Sequence, residues 1–198
     1  MSVLDIRVLG DPILRKPTRP VTELTPEIQT LIQDLFDTMY EAGGIGLAAP
    51  QVGRESRVAV VHVDEHKFAL INPEVLETAE TDRAEEGCLS IPEIYGDVTR
   101  PLTVTVRAID ENGKQRDITA SGLLARCMLH EIDHLDGKLF IDYLSPLKRR
   151  SVMAKWKKIQ GDFPGFVRKV TPETKAETRK SGSRMTDGTA TEHHNEDM

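Results

Sequence analysis

The segment CMLHEIDHLDG, Cys127 to Gly137, contains the pattern His-Glu-x-x-His. On a helix turning about 100° per residue, His130 and His134 lie one turn apart on the same face, so both imidazoles can reach one metal ion. Glu131 sits beside them and need not ligate. In such sites the glutamate takes a proton from water that the ion has made far more acidic than bulk water.

Two histidines do not complete the site, because catalytic metal centres usually take three protein ligands and keep one position for water. The chain continues as HEIDHLDGKLF, but Phe140 stands where one group of metalloproteases places a third histidine. A glutamate on a following helix is the other common solution, yet no glutamate occurs between Glu131 and Glu173. The third ligand is therefore expected upstream. Cys127 shares a helical face with His134 but lies nearly two turns from it, which suits lining the pocket better than ligation. Cys88, in EEGCLSIP, reads equally as a thiolate presented from a strand or loop or as a small buried hydrophobe. A closed structural metal module would need a fourth ligand, and a metallo-endopeptidase would need the absent downstream one. An open site with a glutamate suited to activating water favours catalysis.

The elements that must position these groups follow from pattern. Thr25 as N-cap, Pro26 in the first turn and Ile28, Leu31, Ile32, Leu35 and Met39 at helical spacing predict a helix from about Pro26 to Ala42, stopped by Gly43 and Gly44. GGIGLAAPQVG is too rich in glycine and alanine for a packed helix or a strong strand. Strands are expected at Arg57–Val63, Lys67–Pro73 and Leu102–Asp110, the last before a turn at ENGK. A second helix runs from Ser121 to the closing Gly137. The segment Lys148–Lys169 concentrates Lys and Arg around the only tryptophan, Trp156, and reads as a basic amphipathic helix or a solvated face. From Thr171 onward large apolar residues nearly vanish. Residues 171–198, including His193 and His194, are expected to form a disordered polar tail behind one catalytic domain of residues 1–170.

A net charge of -6 argues against wholesale nucleic-acid binding, and no sequence-specific nucleic acid or membrane partner is expected. No window approaches the run of roughly 18 apolar residues needed to span a bilayer, and MSVLDIRVLGDP, with Asp5 early, lacks a signal-peptide core. Cytoplasmic localisation is the expectation. Two cysteines alone, Cys88 and Cys127, are more plausible as free thiols than as a disulfide in a reducing compartment.

Three segments together, GIGLAAPQ (Gly44–Gln51), EGCLS (Glu86–Ser90) and HEIDH (His130–His134), resemble the three signature motifs of the peptide deformylase family, in that family's order. The likeness runs from VLGDPILRKPTRPV to GKLFIDYLSPLKRR, about three quarters of the chain. The resemblance implies an α+β fold of mostly antiparallel sheets packed around a central metal-binding helix, with an N-terminal helix and a C-terminal basic helix. It implies Cys88, His130 and His134 as metal ligands and Glu131 as general acid and base. One divalent ion per chain would be bound, usually Fe(II), with Zn, Ni or Co as substitutes. The reaction would remove the formyl group from formylmethionyl peptides, with the Gln51 side-chain amide and the Leu89 backbone N–H as oxyanion donors.

Small residues in GIGLAAPQVG also suit a peptide lying close and pairing through its backbone. Ile45, Gly46, Glu86, Gly87, Leu123 and Cys127 are the positions expected along the substrate. A phosphate cradle is the contrasting reading of this loop, but no Gly-Lys-Ser/Thr or Gly-x-Gly-x-x-Gly pattern follows. Ribosome docking through residues 148–169 is the sharper reading of the basic segment, since some members of the resembled family dock through a C-terminal helix. Arg100 is a candidate partner for Glu86, and no catalytic role transfers to Tyr95. One departure stands out: Leu129 precedes His130 where the family usually has glutamine.

Overall fold

The computed structural model describes residues 2–171, so the expected tail beyond Thr171, with its two histidines, lies outside the described residues. Among the described residues, nine strands and three α-helices alternate in an α+β arrangement, with every paired strand antiparallel. The strands are β1 (Ile6–Arg7), β2 (Gly46–Ala48), β3 (Val58–Val63), β4 (His66–Ala79), β5 (Asp82–Cys88), β6 (Ile91–Arg100), β7 (Thr103–Ile109), β8 (Gln115–Ser121) and β9 (Val167–Arg168). The helices are α1 (Pro26–Glu41), α2 (Gly122–Leu135) and α3 (Pro146–Ile159). A five-stranded sheet has the order β2-β3-β4-β7-β8, while β5 pairs with β6 and β1 with β9.

Helix α1 begins where Thr25 accepts a hydrogen bond from the Ile28 N–H and Pro26 fills the first turn. It buries Leu31, Ile32, Leu35, Phe36 and Met39 against β2, β3 and the turn at residues 49–52. Helix α2 is central. Its apolar side, Ala125, Met128, Ile132 and Leu135, packs with the inner face of the large sheet, and Leu129 leans on the same core. A third cluster holds Ile91, Ile94 and Val98 of β6, Phe140 and Leu144, and Val152 and Trp156 of α3. Polar edges of α2 are thus free to point between the sheets.

Three expectations need correction. Strand β4 does not stop at Pro73 but continues to Ala79, because register shifts between Ile71 and Glu74 and between Val75 and Glu77 free the proline from the ladder. Asn72, at φ 51°, uses its side chain there to bond both the N–H and the C=O of Val21. The acidic stretch at residues 82–88 and EIYGDVTR form the β5–β6 hairpin, which was not expected from their polarity. The basic helix ends at Ile159, since Gly161, Pro164 and Gly165 break it, and residues 160–168 return as two tight turns and a strand.

Gly137, which closes α2 at φ 73°, faces backbone: a Cβ there would lie 2.8 Å from the Arg15 carbonyl carbon. Gly137→Ala is expected to cost about 2 kcal/mol of stability, read from denaturant midpoints at unchanged slope.

Candidate metal centre

Helix α2 carries two further stripes built from one-turn steps. Cys127 and Glu131 face Gly46 of β2, whereas Arg126, His130 and Asp133 with His134 face the β5–β6 hairpin. Strand β5 ends at Cys88, and a register shift between Gly87 and Cys88 brings its side chain to the helix. The Cys88 Sγ lies 3.1 Å from His134 Nε2, and the ligand atoms of Cys88, His130 and His134 lie within 4.8 Å of one another. The cysteine competing for this role, Cys127, instead donates weakly to the Ile45 carbonyl at 3.5 Å. Burial, with Glu131 and Glu86 nearby, pushes its thiol well above the usual range, which keeps it neutral.

Glu86 organises the centre. Arg100 donates from Nε and Nη2 to its two oxygens at 2.6 and 3.0 Å, and Arg126 donates from Nη1 to Oε1 at 2.8 Å. The side chains of Glu86 and Arg100 are each 4% exposed. Burial would raise the Glu86 carboxyl, but hydrogen bonds from His130 and Arg100 outweigh it and hold the group down at about 2. An ionised carboxylate only accepts, so His130 Nδ1, 3.1 Å from Oε2, carries a proton, and in the neutral ring this leaves Nε2 as the lone-pair donor. The pair Arg100–Glu86 expected from sequence is present, and Arg100 also donates to Asp133, which accepts from the Tyr143 hydroxyl.

The two histidines are driven apart. Burial lowers His130, yet hydrogen bonds to Cys88 and Glu86 and the Glu131 charge raise it well above an ordinary imidazole; burial and the neighbouring His130 lower His134. Glu86 and Glu131 beside the imidazoles favour a positive charge at the centre, which a proton on His130 or a metal ion supplies. Glu131 is 3% exposed, and its Oε2 has no hydrogen-bond partner among the described residues. Burial, against the His130 and Arg100 charges, pushes its carboxyl up to about 7. One thiol, two imidazoles and an unpaired carboxylate beside them form a donor set that fits a divalent transition metal.

The Gly44–Gln51 segment closes on this centre from the opposite side. A Cβ at Gly46 would lie 2.4 Å from Glu131 Oε1 and 2.8 Å from Cys127 Sγ, so only glycine permits the approach. Gln51 is buried; its Oε1 accepts from the Ala48 N–H at 2.8 Å, which fixes the amide so that Nε2 points to Ser90 Oγ at 3.2 Å and Cys88 Sγ at 3.7 Å. Ile45 and Leu123, 44% and 56% exposed, border the same face of α2. The Glu86 carboxylate points inward to its partners, so only its backbone remains for a peptide. The Tyr95 ring lies across Gly87, where a Cβ would meet it at 2.7 Å. Ser90, Arg126 and Asp133 were not singled out in the sequence, where a buried polar residue looks like an exposed one.

Residues 3–150 match the family model described as Polypeptide deformylase. A peptide deformylase of Hydrogenovibrio crunogenus is 52% identical over 161 residues, covering 80% of this chain and 95% of that protein. The crystal structure of a peptide deformylase from Legionella pneumophila superposes with a TM-score of 0.76 at 45% identity, covering 81% of this chain and 98% of that one. That of a Synechococcus elongatus peptide deformylase in complex with actinonin gives 0.74 at 44% identity, covering 77% and 85%.

Arg100→Ala would leave Glu86 and Asp133 buried with too few partners. A loss of about 3 to 5 kcal/mol is expected from equilibrium unfolding, far more than for the exposed pair Arg107–Asp117.

Proposed function

The chain belongs to the peptide deformylase family and removes the formyl group from the N-terminal formylmethionine of newly made polypeptides, and we propose that it does so with Cys88, His130 and His134 holding one divalent metal ion and Glu131 moving the proton. The observation that carries this reading is the convergence of these three donors beside a buried carboxylate with an unpartnered oxygen. Fe(II) is the ion proposed on family grounds, with Zn, Ni or Co as substitutes; thiolate and imidazole donors accept all of them.

Bound there, the ion would supply Lewis-acid polarisation of the formyl carbonyl and a lowered pKa for water. The remaining work falls to the protein. Glu131 takes the proton released as water adds to the formyl carbon, then delivers it to the amide nitrogen as the C–N bond breaks, leaving formate and a free amino group. A carboxyl poised near neutrality suits both transfers. Gln51 Nε2 and the Leu89 N–H are the donors for the oxyanion, the first held in one orientation by Ala48 and Ser90.

Strand β2 is an edge of the five-stranded sheet, which offers unpaired backbone groups to an extended peptide. We place the peptide between Ile45–Gly46 and the Glu86–Gly87 backbone, with Leu123 and Cys127 lining the methionine pocket. Among the described residues no helix is long and apolar enough to cross a membrane. Val152 and Trp156 bury one side of α3 and leave Lys155, Lys157 and Lys158 exposed on the other, a face suited to ribosomal RNA.

Formate release from formyl-Met-Ala-Ser by anaerobically purified, iron- or nickel-loaded protein tests the whole reading, and no formate would overturn it. Cys88→Ala is expected to lose metal, whereas Glu131→Ala keeps metal and loses at least a hundredfold in kcat; a fully metallated, active Cys88→Ala excludes the thiolate ligand. For the ribosome, the triple change Lys155→Glu, Lys157→Glu, Lys158→Glu should abolish salt-sensitive co-sedimentation at unchanged formate release. Equal co-sedimentation would remove α3 from docking.

A further inference from the structure

The family match ends at residue 150, yet the chain beyond α3 folds back to the centre. Phe163 stacks on Trp156, and β9 pairs with β1 in the register Ile6 to Arg168 and Arg7 to Val167. The Val8 N–H donates to the Phe166 carbonyl at 2.9 Å, Lys169 pairs with Asp5, and Val170 packs on the α1 core. Phe166 is held at φ 57°, unusual for an aromatic residue, with its ring filling the space a Cβ on Gly10 would need. Several independent contacts therefore hold residues 160–170 in one place, which is what sustains a strained backbone angle.

This ribbon grips the loop after Cys88. The Leu9 N–H donates to the Ser90 carbonyl at 2.9 Å, and Arg168 Nη1 donates to the Leu89 carbonyl at 3.4 Å. Two consecutive peptide units are thus tied to the β1–β9 ribbon, both directly following the Leu89 N–H. Ser90 in turn accepts from Gln51, so both oxyanion donors are linked to the ribbon through the same two residues.

We propose that residues 160–170 form a strap that positions the oxyanion donors, with Arg168 as its positioning residue acting through the Leu89 peptide. The proposal rests on the assignment of Leu89 and Gln51 as those donors. A donor misaimed by a fraction of an ångström loses transition-state stabilisation while ground-state binding persists. The expected signature is therefore a fall in kcat alone.

The test uses the full-length, metal-loaded protein with Arg168→Ala and Arg168→Lys, the latter able to make one bond to the Leu89 carbonyl. Arg168→Ala should lower kcat for formyl-Met-Ala-Ser about tenfold. KM, the dissociation constant of the product Met-Ala-Ser, metal affinity by chelator competition and the thermal midpoint should stay at wild-type values. Arg168→Lys should recover most of the lost rate. Gly10→Ala, which pushes on Phe166 from the other side, should lower kcat in the same direction. A kcat within twofold of wild type in Arg168→Ala, a loss shared with metal affinity or stability, or no recovery in Arg168→Lys would overturn the proposal. An unchanged Arg168→Ala beside a Gln51→Ala that loses kcat sinks the strap alone. A Gln51→Ala with wild-type kcat sinks the donor assignment beneath it.

Discussion

A carboxylate gripped by two guanidiniums inside the protein is the interaction on which the centre depends. Burying Glu86 without partners would protonate it, and a protonated Glu86 would no longer dictate which nitrogen of His130 carries hydrogen. Arg100 and Arg126 keep it charged and still, and the imidazole orientation follows. Replacing such a cluster with apolar side chains of similar volume is often neutral or stabilising elsewhere, so its value here is directional rather than cohesive. The fold around it reflects that demand: α2 offers its apolar side to the large sheet and keeps its polar stripes between β2 and the β5–β6 hairpin.

Much of this was legible in the sequence, and the legible parts share a physical cause. Helix α1 lies within a residue of its expected span because Thr25, Pro26 and Gly43 act locally at its ends. Helix α2, β3 and β7 follow their apolar periods in the same way. The missed features depend on long-range contacts. Asp82, Glu85 and Glu86 do not alternate like a strand with one apolar face, because Glu86 turns inward to two arginines. Pro73 signalled a strand end, but a bulge lets the strand pass it.

The centre was half legible. His130, Glu131 and His134 announce themselves by spacing along one helix. Cys88 lies 42 positions before His130 in the numbering, and no local rule separates a ligand thiol from a buried one; only the resemblance chose between them. Ser90 and Arg126 left no signal, since nothing in composition tells a satisfied buried polar group from a solvated one. Leu129, the departure beside His130, turns its side chain toward the sheet core, so its packing there accounts for an apolar residue at that position.

The closeness of Gly46 to Glu131 also bears on how the enzyme could evade an inhibitor. A side chain at position 46 would press on the Glu131 carboxyl and the Cys127 sulfur, so a change there disturbs the centre itself. Ile45 and Leu123 present exposed side chains that can change size at little cost to the core. A compound that draws its affinity from the backbone at Gly46 would leave selection few escape routes, whereas one leaning on those two side chains would leave several.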